Sequence, residues 1–419
     1  MRVAVRPCFA PGISGGIEPY VQGLASALSG LEGLDRFEFL GTEQQRVSLA
    51  PHIDGAASWV TLPSNITDHP AKVAGVRARV SSSPLGPAAR RAVRWLGARR
   101  PARFGPAIPP SSPEAVESAG YDVVHFAAQA GELTALPNLY QPWDLQHLHH
   151  PEFFTKRDLE WRELIWGPCC ERATYVVVAS RFVHDDVVDA YGIDPSKVAI
   201  VPPGAPMVNG SAERTHCGRP YALFPAQVWA HKNHERLIGA VARLRSRGIE
   251  VRLVCPGQPN EREGVVRSHA RNMKVDDLVD FPGYVTSSEL AGLYAGARCL
   301  IFPSLFEGFG FPVLEAFASG VPVACSSTTS LPELAADAAV LFDPTDIDDI
   351  ADAVERVWTD DRLRNTLAAM GRRRAERYSW DSLARSCRAL YRAAAGVDLE
   401  EDDIRLLTTA GIVPRGGSR

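Results

Sequence analysis

Short apolar runs alternate with longer stretches of helical period along most of the chain. In the second half the runs fall at 221–225, 251–256, 278–282, 299–303, 321–325 and 339–342, with amphipathic segments between them. Strict strand–helix alternation predicts a parallel sheet covered on both faces, an α/β architecture. The first half is less regular, with strands predicted at 3–5, 37–40, 121–126, 175–179 and 198–201. After Gly15 and Gly16, the residues Ile17, Tyr20, Val21, Leu24, Ala25 and Leu28 follow a 3.6-residue period, and Pro19 sits in the first turn where no amide donor is missed. Near the end, Ser379 is placed to cap a helix whose apolar stripe is Leu383, Cys387, Leu390, Tyr391 and Ala394. Beyond Gly396 the chain turns acidic and finishes in Pro-Arg-Gly-Gly-Ser-Arg, which predicts a frayed tail.

Length and composition narrow the picture. At 419 residues and 45% hydrophobic, the chain exceeds the roughly 250–300 residues at which single cores stop growing, so two domains are expected. The run Pro202-Pro203-Gly204-Ala205-Pro206 and the polar stretch after it read as the interdomain linker. A formal charge of −4 gives no global electrostatic case for nucleic acid. The eight cysteines form no Cys-x-x-Cys pair and lie mostly in apolar runs, as reduced thiols in a cytosolic protein do. The first eight residues read as a strand and not a signal peptide, and no run reaches the roughly 18 apolar residues of a membrane span. Asn65-Ile66-Thr67 is read as a chance match to a glycosylation acceptor. With 40 arginines to 5 lysines, a position that keeps lysine argues for a role particular to that side chain.

Charge is uneven on a local scale. Between Lys72 and Arg103 lie nine basic residues with no Asp or Glu from Ala71 to Ser112. There Ala89, Ala92, Val93 and Leu96 fit one helical face and Arg90, Arg91 and Arg94 the other, with Trp95 at the margin. Three readings stay open: a solvated arginine-rich loop, a docking surface for anionic lipid or a lipid-diphosphate acceptor, and a protein partner site.

The strongest chemical signal runs from Phe302 to Glu315, a strand end, a glycine-containing loop and a helix start. Ligands bind at such places in α/β sheets. Amides of Phe309, Gly310 and Phe311 would face outward at a helix N-terminus, beside Gly308, and suit phosphate or sugar oxygens. Pro312 starts the helix without wasting a donor. Glu307 in the loop and Glu315 in the helix bracket that dipole, which fits a hydroxyl-rich ligand.

This string resembles the glutamate, seven residues, glutamate signature of the retaining GT-B glycosyltransferases of family four, the group 1 type. The resemblance extends over about 221–390 through Phe281-Pro282-Gly283-Tyr284, Ala318-Ser319-Gly320-Val321-Pro322-Val323, Leu331-Pro332-Glu333 and Tyr378-Ser379-Trp380. It implies two Rossmann-like domains facing across a cleft: an acceptor-side domain at 1–205, a donor domain at 206–383, a helix at 384–398 packing back toward the first domain, and a tail at 399–419. It implies that Glu315 binds the nucleotide ribose and Glu307 the donor sugar near the pyrophosphate. The segment from Gln227 to His234 is similar to the family loop that delivers an arginine and a lysine to the pyrophosphate. Lys232 is in register, while Gln227 or His231 stands where arginine is usual. Gly15-Gly16-Ile17-Glu18 resembles the family's glycine loop; it is not Gly-x-Gly-x-x-Gly, and no P-loop lysine follows, which excludes nicotinamide and ATP readings. His125, ending the 121–126 strand, occupies a place where members set a histidine against the sugar.

The segment Trp143-Asp144-Leu145-Gln146-His147-Leu148-His149 is similar to a family segment beginning His-Asp-Leu, with Trp143 replacing the histidine. It makes Asp144, His147 and His149 acceptor-side candidates. Read as a strand, His147 and His149 share a face and invite zinc, but no cysteine or paired carboxylate completes a site. Ser180-Arg181 matches a family turn and is read as lining the cleft or capping the next helix.

The resemblance therefore implies a metal-independent, cofactor-independent hexosyltransferase with retained configuration. Its donor would be a nucleotide diphosphate sugar, GDP-mannose or UDP-glucose by preference. Its acceptor would be a glycan or lipid-linked molecule in polysaccharide synthesis, and its place cytoplasmic or peripheral at the inner face of the membrane. The competing readings are a noncatalytic sugar-nucleotide-binding or scaffold protein of the same fold, and a GT-B epimerase or phosphorylase.

Overall fold

The computed structural model describes residues 1–9, 16–62, 114–205 and 218–413. They build two sheets whose strand pairs are all parallel. The first contains β1 (Arg2–Arg6), β2 (Arg36–Gly41), β3 (Ala57–Thr61), β4 (Val123–Phe126), β5 (Asn138–Tyr140), β6 (Tyr175–Val178) and β7 (Val198–Ile200), in the order β3-β2-β1-β4-β5-β6-β7. The second contains β8 (Ala222–Leu223), β9 (Leu253–Pro256), β10 (Val279–Gly283), β11 (Cys299–Phe302), β12 (Val323–Ser326) and β13 (Ala339–Phe342), in the order β10-β9-β8-β11-β12-β13. Strand order reverses between β1 and β4 in one sheet and between β8 and β11 in the other. Crevices for ligands open at such reversals, beyond the carboxyl ends of the strands.

The central strands are apolar throughout because helices cover both their faces: β4, β9, β11 and β12 are buried at every residue. Two strands lie outside the sequence expectation. β3 is an edge strand, mostly solvent-facing and carrying Ser58 and Thr61, and β5 is a three-residue strand that begins with Asn138. Neither offers a long apolar run.

The helix Trp380–Ala395 starts at Ser379, whose Oγ accepts from the amide of Ser382 at 3.3 Å. Its stripe of Leu383, Cys387, Leu390 and Tyr391 is buried against the helix Ile17–Ser29 and against β4 and β5 of the first sheet. The ring of Trp380 lies so close over Gly23 and Gly204 that a Cβ at either would fall within 2.4 Å of it. Glycine is required at both by close approach.

The expectation of a frayed tail is corrected. Residues Glu401–Thr409 form a helix, and Leu407 and Ile412 are each 1% exposed. Arg392 of the preceding helix bonds Glu400 at 3.0 Å and Asp403 at 2.9 Å, and the carbonyl of Ala410 accepts from Ile200 of β7 at 2.9 Å. Two of the acidic residues, Glu400 and Asp403, are thus paired by an arginine brought beside them. The basic segment at 72–103, Gly15, Asn65 to Thr67, Cys217 and the last six residues lie outside the described residues. The seven described cysteines are free. Among the described residues, no helix is long and apolar enough to cross a membrane.

Candidate functional site

The two loops with the strongest chemical signals leave β8 and β11, the strands that flank the reversal in the second sheet. They are sewn to each other. The carbonyl of His231 accepts from the amide of Leu305 at 2.7 Å and from Ser304 Oγ at 3.2 Å. Asn233 adopts a left-handed conformation, φ 65°, and its Nδ2 donates to the carbonyls of Pro303 and Pro344 at 3.0 and 2.7 Å. That turn aims Lys232, whose Nζ donates to Glu307 Oε1 at 2.5 Å, the two side chains being 17% and 13% exposed. Glu307 is held by its backbone, its amide donating to Thr329 Oγ1 at 3.1 Å and its carbonyl accepting from Ser330 Oγ at 2.9 Å.

Gly310 has φ 104°, and a Cβ there would come within 2.5 Å of Leu331 Cδ2, so a side chain is excluded twice over. This twist delivers the chain to the helix Phe311–Ser319 with Pro312 in its first turn. The amides of Gly310 and Phe311 precede the first intrahelical bonds, which Val313 and Leu314 make to the Gly310 carbonyl, and Pro312 has no N–H, so those two amides are a natural seat for an anion. Glu315 accepts from the hydroxyl of Tyr294 at 2.6 Å, a hydroxyl also 3.3 Å from the carbonyl of Pro312. Burial pushes the Glu315 carboxyl up, and the bond from Tyr294 opposes that rise.

The amino-terminal half meets these loops directly. A Cβ on Gly16, at the start of the helix Ile17–Ser29, would lie 2.9 Å from Phe311. Trp143, with φ 63°, turns Asp144 toward Gly308, where an added Cβ would lie 3.1 Å from Asp144 Cβ. Burial raises the Asp144 carboxyl, Glu307 adds to the rise, and the amide of Gln146, Arg162 and Lys232 oppose it. Ser180 caps the helix Arg181–Tyr191 and donates to the carbonyl of Gly308 at 2.8 Å. Glu333, from the second half, accepts from the amide of Arg181 at 2.8 Å and that of Phe182 at 3.3 Å.

Lys232, Glu307, Gly308, Phe311, Gly16, Asp144 and Ser180 are thus brought together, with Glu315 on the helix beyond. Other expectations are corrected. His125 has no exposed surface; its Nδ1 lies 2.8 Å from the hydroxyl of Tyr391, and burial pushes its pKa down to about 3. It is a neutral histidine under the C-terminal helix, not a wall of the cleft. Residues Gln146–His149 form a helix rather than a strand, so the two histidines diverge. His147 is 2% exposed with its ring edge-on to Trp166 at 4.6 Å, while His149 Nε2 lies 2.7 Å from Asp186 Oδ1. Gln227 accepts from Trp229 Nε1 at 2.8 Å. Burial and then Lys232 hold the His231 ring well below its ordinary pKa, so it is neutral and does not replace an arginine. Arg181 serves through its amide, with its residue exposed. The side chain of Phe309 is buried against Phe311 and Tyr378 and shapes the loop, which leaves the expectation for its backbone amide standing.

Tyr294, Thr329, Ser330 and Asn233 carry no signal of their own in the sequence, and Glu333 stands out there only within a motif. Each acts through a partner distant in the chain, 21 residues for Tyr294 and 152 for the Glu333 bond to Arg181, and no local pattern marks such a pair.

Comparison with known proteins bears on the family and the fold. Residues 212–374 match the family model described as glycosyl transferases group 1, and residues 68–207 match that of glycosyltransferase family 4. The chain is 34% identical over 163 residues to O-antigen chain mannosyltransferase B of Escherichia coli, covering 39% of this chain and 43% of that one. It is 33% identical over 225 residues to MMP alpha-(1->4)-mannosyltransferase of Mycolicibacterium hassiacum, covering 52% and 54%. The matches thus span about half the length of these relatives. The solved structure of sucrose-phosphate synthase from Thermosynechococcus elongatus superposes with a TM-score of 0.65 at 19% identity, over 94% of this chain and 98% of that one, which places both in the GT-B fold.

Proposed function

We propose that this chain, which belongs to the group 1 glycosyltransferases, transfers a hexose from a nucleotide diphosphate sugar to an acceptor hydroxyl with retention and without a metal ion. The observation that carries the reading is the Lys232–Glu307 pair at 2.5 Å, set beside the N-terminus of the helix Phe311–Ser319 and near Glu315. A cation and free amides suit a diphosphate, and two carboxylates suit the hydroxyls of a sugar and a ribose.

In the proposed reaction the acceptor oxygen bonds the anomeric carbon on the face that the diphosphate leaves. The bond from that carbon to the diphosphate oxygen breaks with its electron pair going to the oxygen, and the acceptor proton passes to the departing phosphate. Lys232 and the amides of the 309–311 turn stabilise the charge as it grows. Two carboxylate-x-carboxylate pairs follow described strands of the second sheet, Glu261-Arg262-Glu263 after β9 and Asp346-Ile347-Asp348 after β13, and in the first Glu263 pairs with Arg267. Asp346 caps the helix Ile347–Thr359, and Asp348 pairs with Arg243. Mannosyl transfer from GDP-mannose is the first choice because the relatives above are mannosyltransferases by name. UDP-glucose comes second, and a glycan or lipid-linked molecule is the proposed acceptor.

The test is a screen of nucleotide sugars for thermal stabilisation and turnover in excess EDTA, with the anomeric configuration of the product read by NMR. Expected are stabilisation by one nucleotide family, activity in EDTA and a retained anomer. Binding without turnover supports the scaffold alternative, and sugar release by inorganic phosphate alone identifies a phosphorylase. An inverted product, or activity restored only by Mn²⁺ or Mg²⁺, overturns the mechanism.

A further inference from the structure

We infer that Arg162, on the helix Lys156–Arg172 of the amino-terminal half, is a second cation for the donor diphosphate, acting with Lys232 from the opposite half. This rests on the donor reading above.

The first ground is a shortage of charge. Lys232 is bonded to Glu307, and Asp144 stands against the neighbouring Gly308. The rest of the loop after β8 offers Ala226, Gln227 and a neutral His231. A nucleoside diphosphate carries several negative charges and gains more as it leaves, so one lysine already paired with a carboxylate is a poor match for it.

The second ground is how Arg162 is held. Its guanidinium carbon lies 4.3 Å from the ring centroid of Phe154 and 4.4 Å from that of Trp166. Contacts with two ring faces fix the guanidinium while leaving N–H groups at its edge for planar oxygen acceptors. Among the described residues Arg162 makes no ion pair and no hydrogen bond. Burial penalises its charge, and Asp144 is the foremost of the fields that oppose this. An orientated, partly buried guanidinium with no carboxylate bonded to it is costly to keep and suits a ligand anion that completes it.

The third ground is location. Phe154 follows Phe153, which stacks on His150 at 5.0 Å, and His150 lies edge-on to Phe306 at 6.0 Å, the residue before Glu307. The aromatic clamp on Arg162 is thus linked through Phe153 and His150 to the loop that carries Glu307, and the Asp144 carboxyl feels Arg162, Glu307 and Lys232 together.

Arg162→Met and Arg162→Lys test the inference. Binding of GDP, UDP, GMP and UMP is measured by calorimetry for both variants and the unaltered protein, with melting temperatures and turnover alongside. Loss of the charge-assisted bond in Arg162→Met should weaken the preferred nucleoside diphosphate about tenfold or more, and the matching monophosphate by less than about twofold. The kcat should fall, and Arg162→Lys should recover part of both losses. If Arg162→Met fails to fold, Arg162→Lys must show the same diphosphate-selective loss in smaller measure. An unchanged diphosphate affinity, or equal losses for di- and monophosphates, overturns the inference alone. Intact donor binding with a raised acceptor KM also overturns it and assigns Arg162 to an anionic acceptor. An unaltered protein that binds no nucleoside diphosphate overturns the donor reading as well.

Discussion

Lys232 and Glu307 give up water to bond each other, a pairing whose attraction only partly offsets the desolvation. A diphosphate can therefore draw Lys232 away at modest cost and free Glu307 for sugar hydroxyls. Because Lys232 meets charge that grows as the bond breaks, Lys232→Ala should lower kcat by about 10²- to 10³-fold with a smaller change in donor KM. Glu315→Ala should raise donor KM with kcat largely kept, since ribose is held before and during reaction. Steady-state kinetics on both variants decide this, and matching profiles would remove the distinction. A pH series probes Glu315 independently. Its carboxyl is raised by burial, so its favourable contribution is complete below the ordinary carboxylate pKa and is lost as pH rises through the raised value. Glu315→Gln keeps an acceptor for Tyr294, and should melt like the parent at pH 4 and above it at pH 8. Lys232, Glu307 and Glu315 stand out in the sequence because each lies in a local pattern, two in loops after strands and one in the helix that follows. His125 was misread because its partner, Tyr391, comes 266 residues later.

At the level of elements, the helix Arg181–Tyr191 takes two amide acceptors from outside its own half, the Glu333 oxygens, while Ser180 reaches Gly308 in return. These bonds close the two halves on each other. Glu333→Ala should cost about 1 kcal/mol through the lost cap and lower the melting temperature by a few degrees. It should also raise the radius of gyration by X-ray scattering in the absence of nucleotide; an unchanged radius would mean that other contacts hold the closed form. Central strands such as β9, β11 and β12 were legible as unbroken apolar runs. β3 and β5 were not, since an edge strand with polar residues and a three-residue strand resemble loops until their neighbours pair with them. The alternation of His147 and His149 fits a strand face as readily as a helix, a pattern too short to separate the two periods.

Across the whole molecule, charge is near balance, which leaves the basic stretch at 72–103 as the main asymmetry. At about 1 kcal/mol for each basic residue near an anionic surface, a few engaged arginines suffice for reversible attachment. Replacing Arg90, Arg91 and Arg94 by glutamine should reduce cosedimentation with anionic vesicles at low salt and leave neutral vesicles unaffected. No difference between vesicle types, in parent and variant alike, would leave a solvated loop as the reading.

The helix Trp380–Ala395 also sets a schedule. A chain grows at about 5–20 residues per second, and 266 residues separate His125 from the tyrosine that covers it, so the first sheet waits on the order of 15–50 s for its lid. Over that interval Tyr20, Phe37 and Leu139, fully buried in the finished fold, belong to a face that the missing helix has yet to cover. The first half to be made is thus among the last to be finished, and its most hazardous period falls during synthesis. A chain ending at residue 379 should therefore bind a hydrophobic dye strongly and accumulate on chaperones, whereas one ending at 413 should not; equal dye binding by the two would show that the first half closes without its final helix.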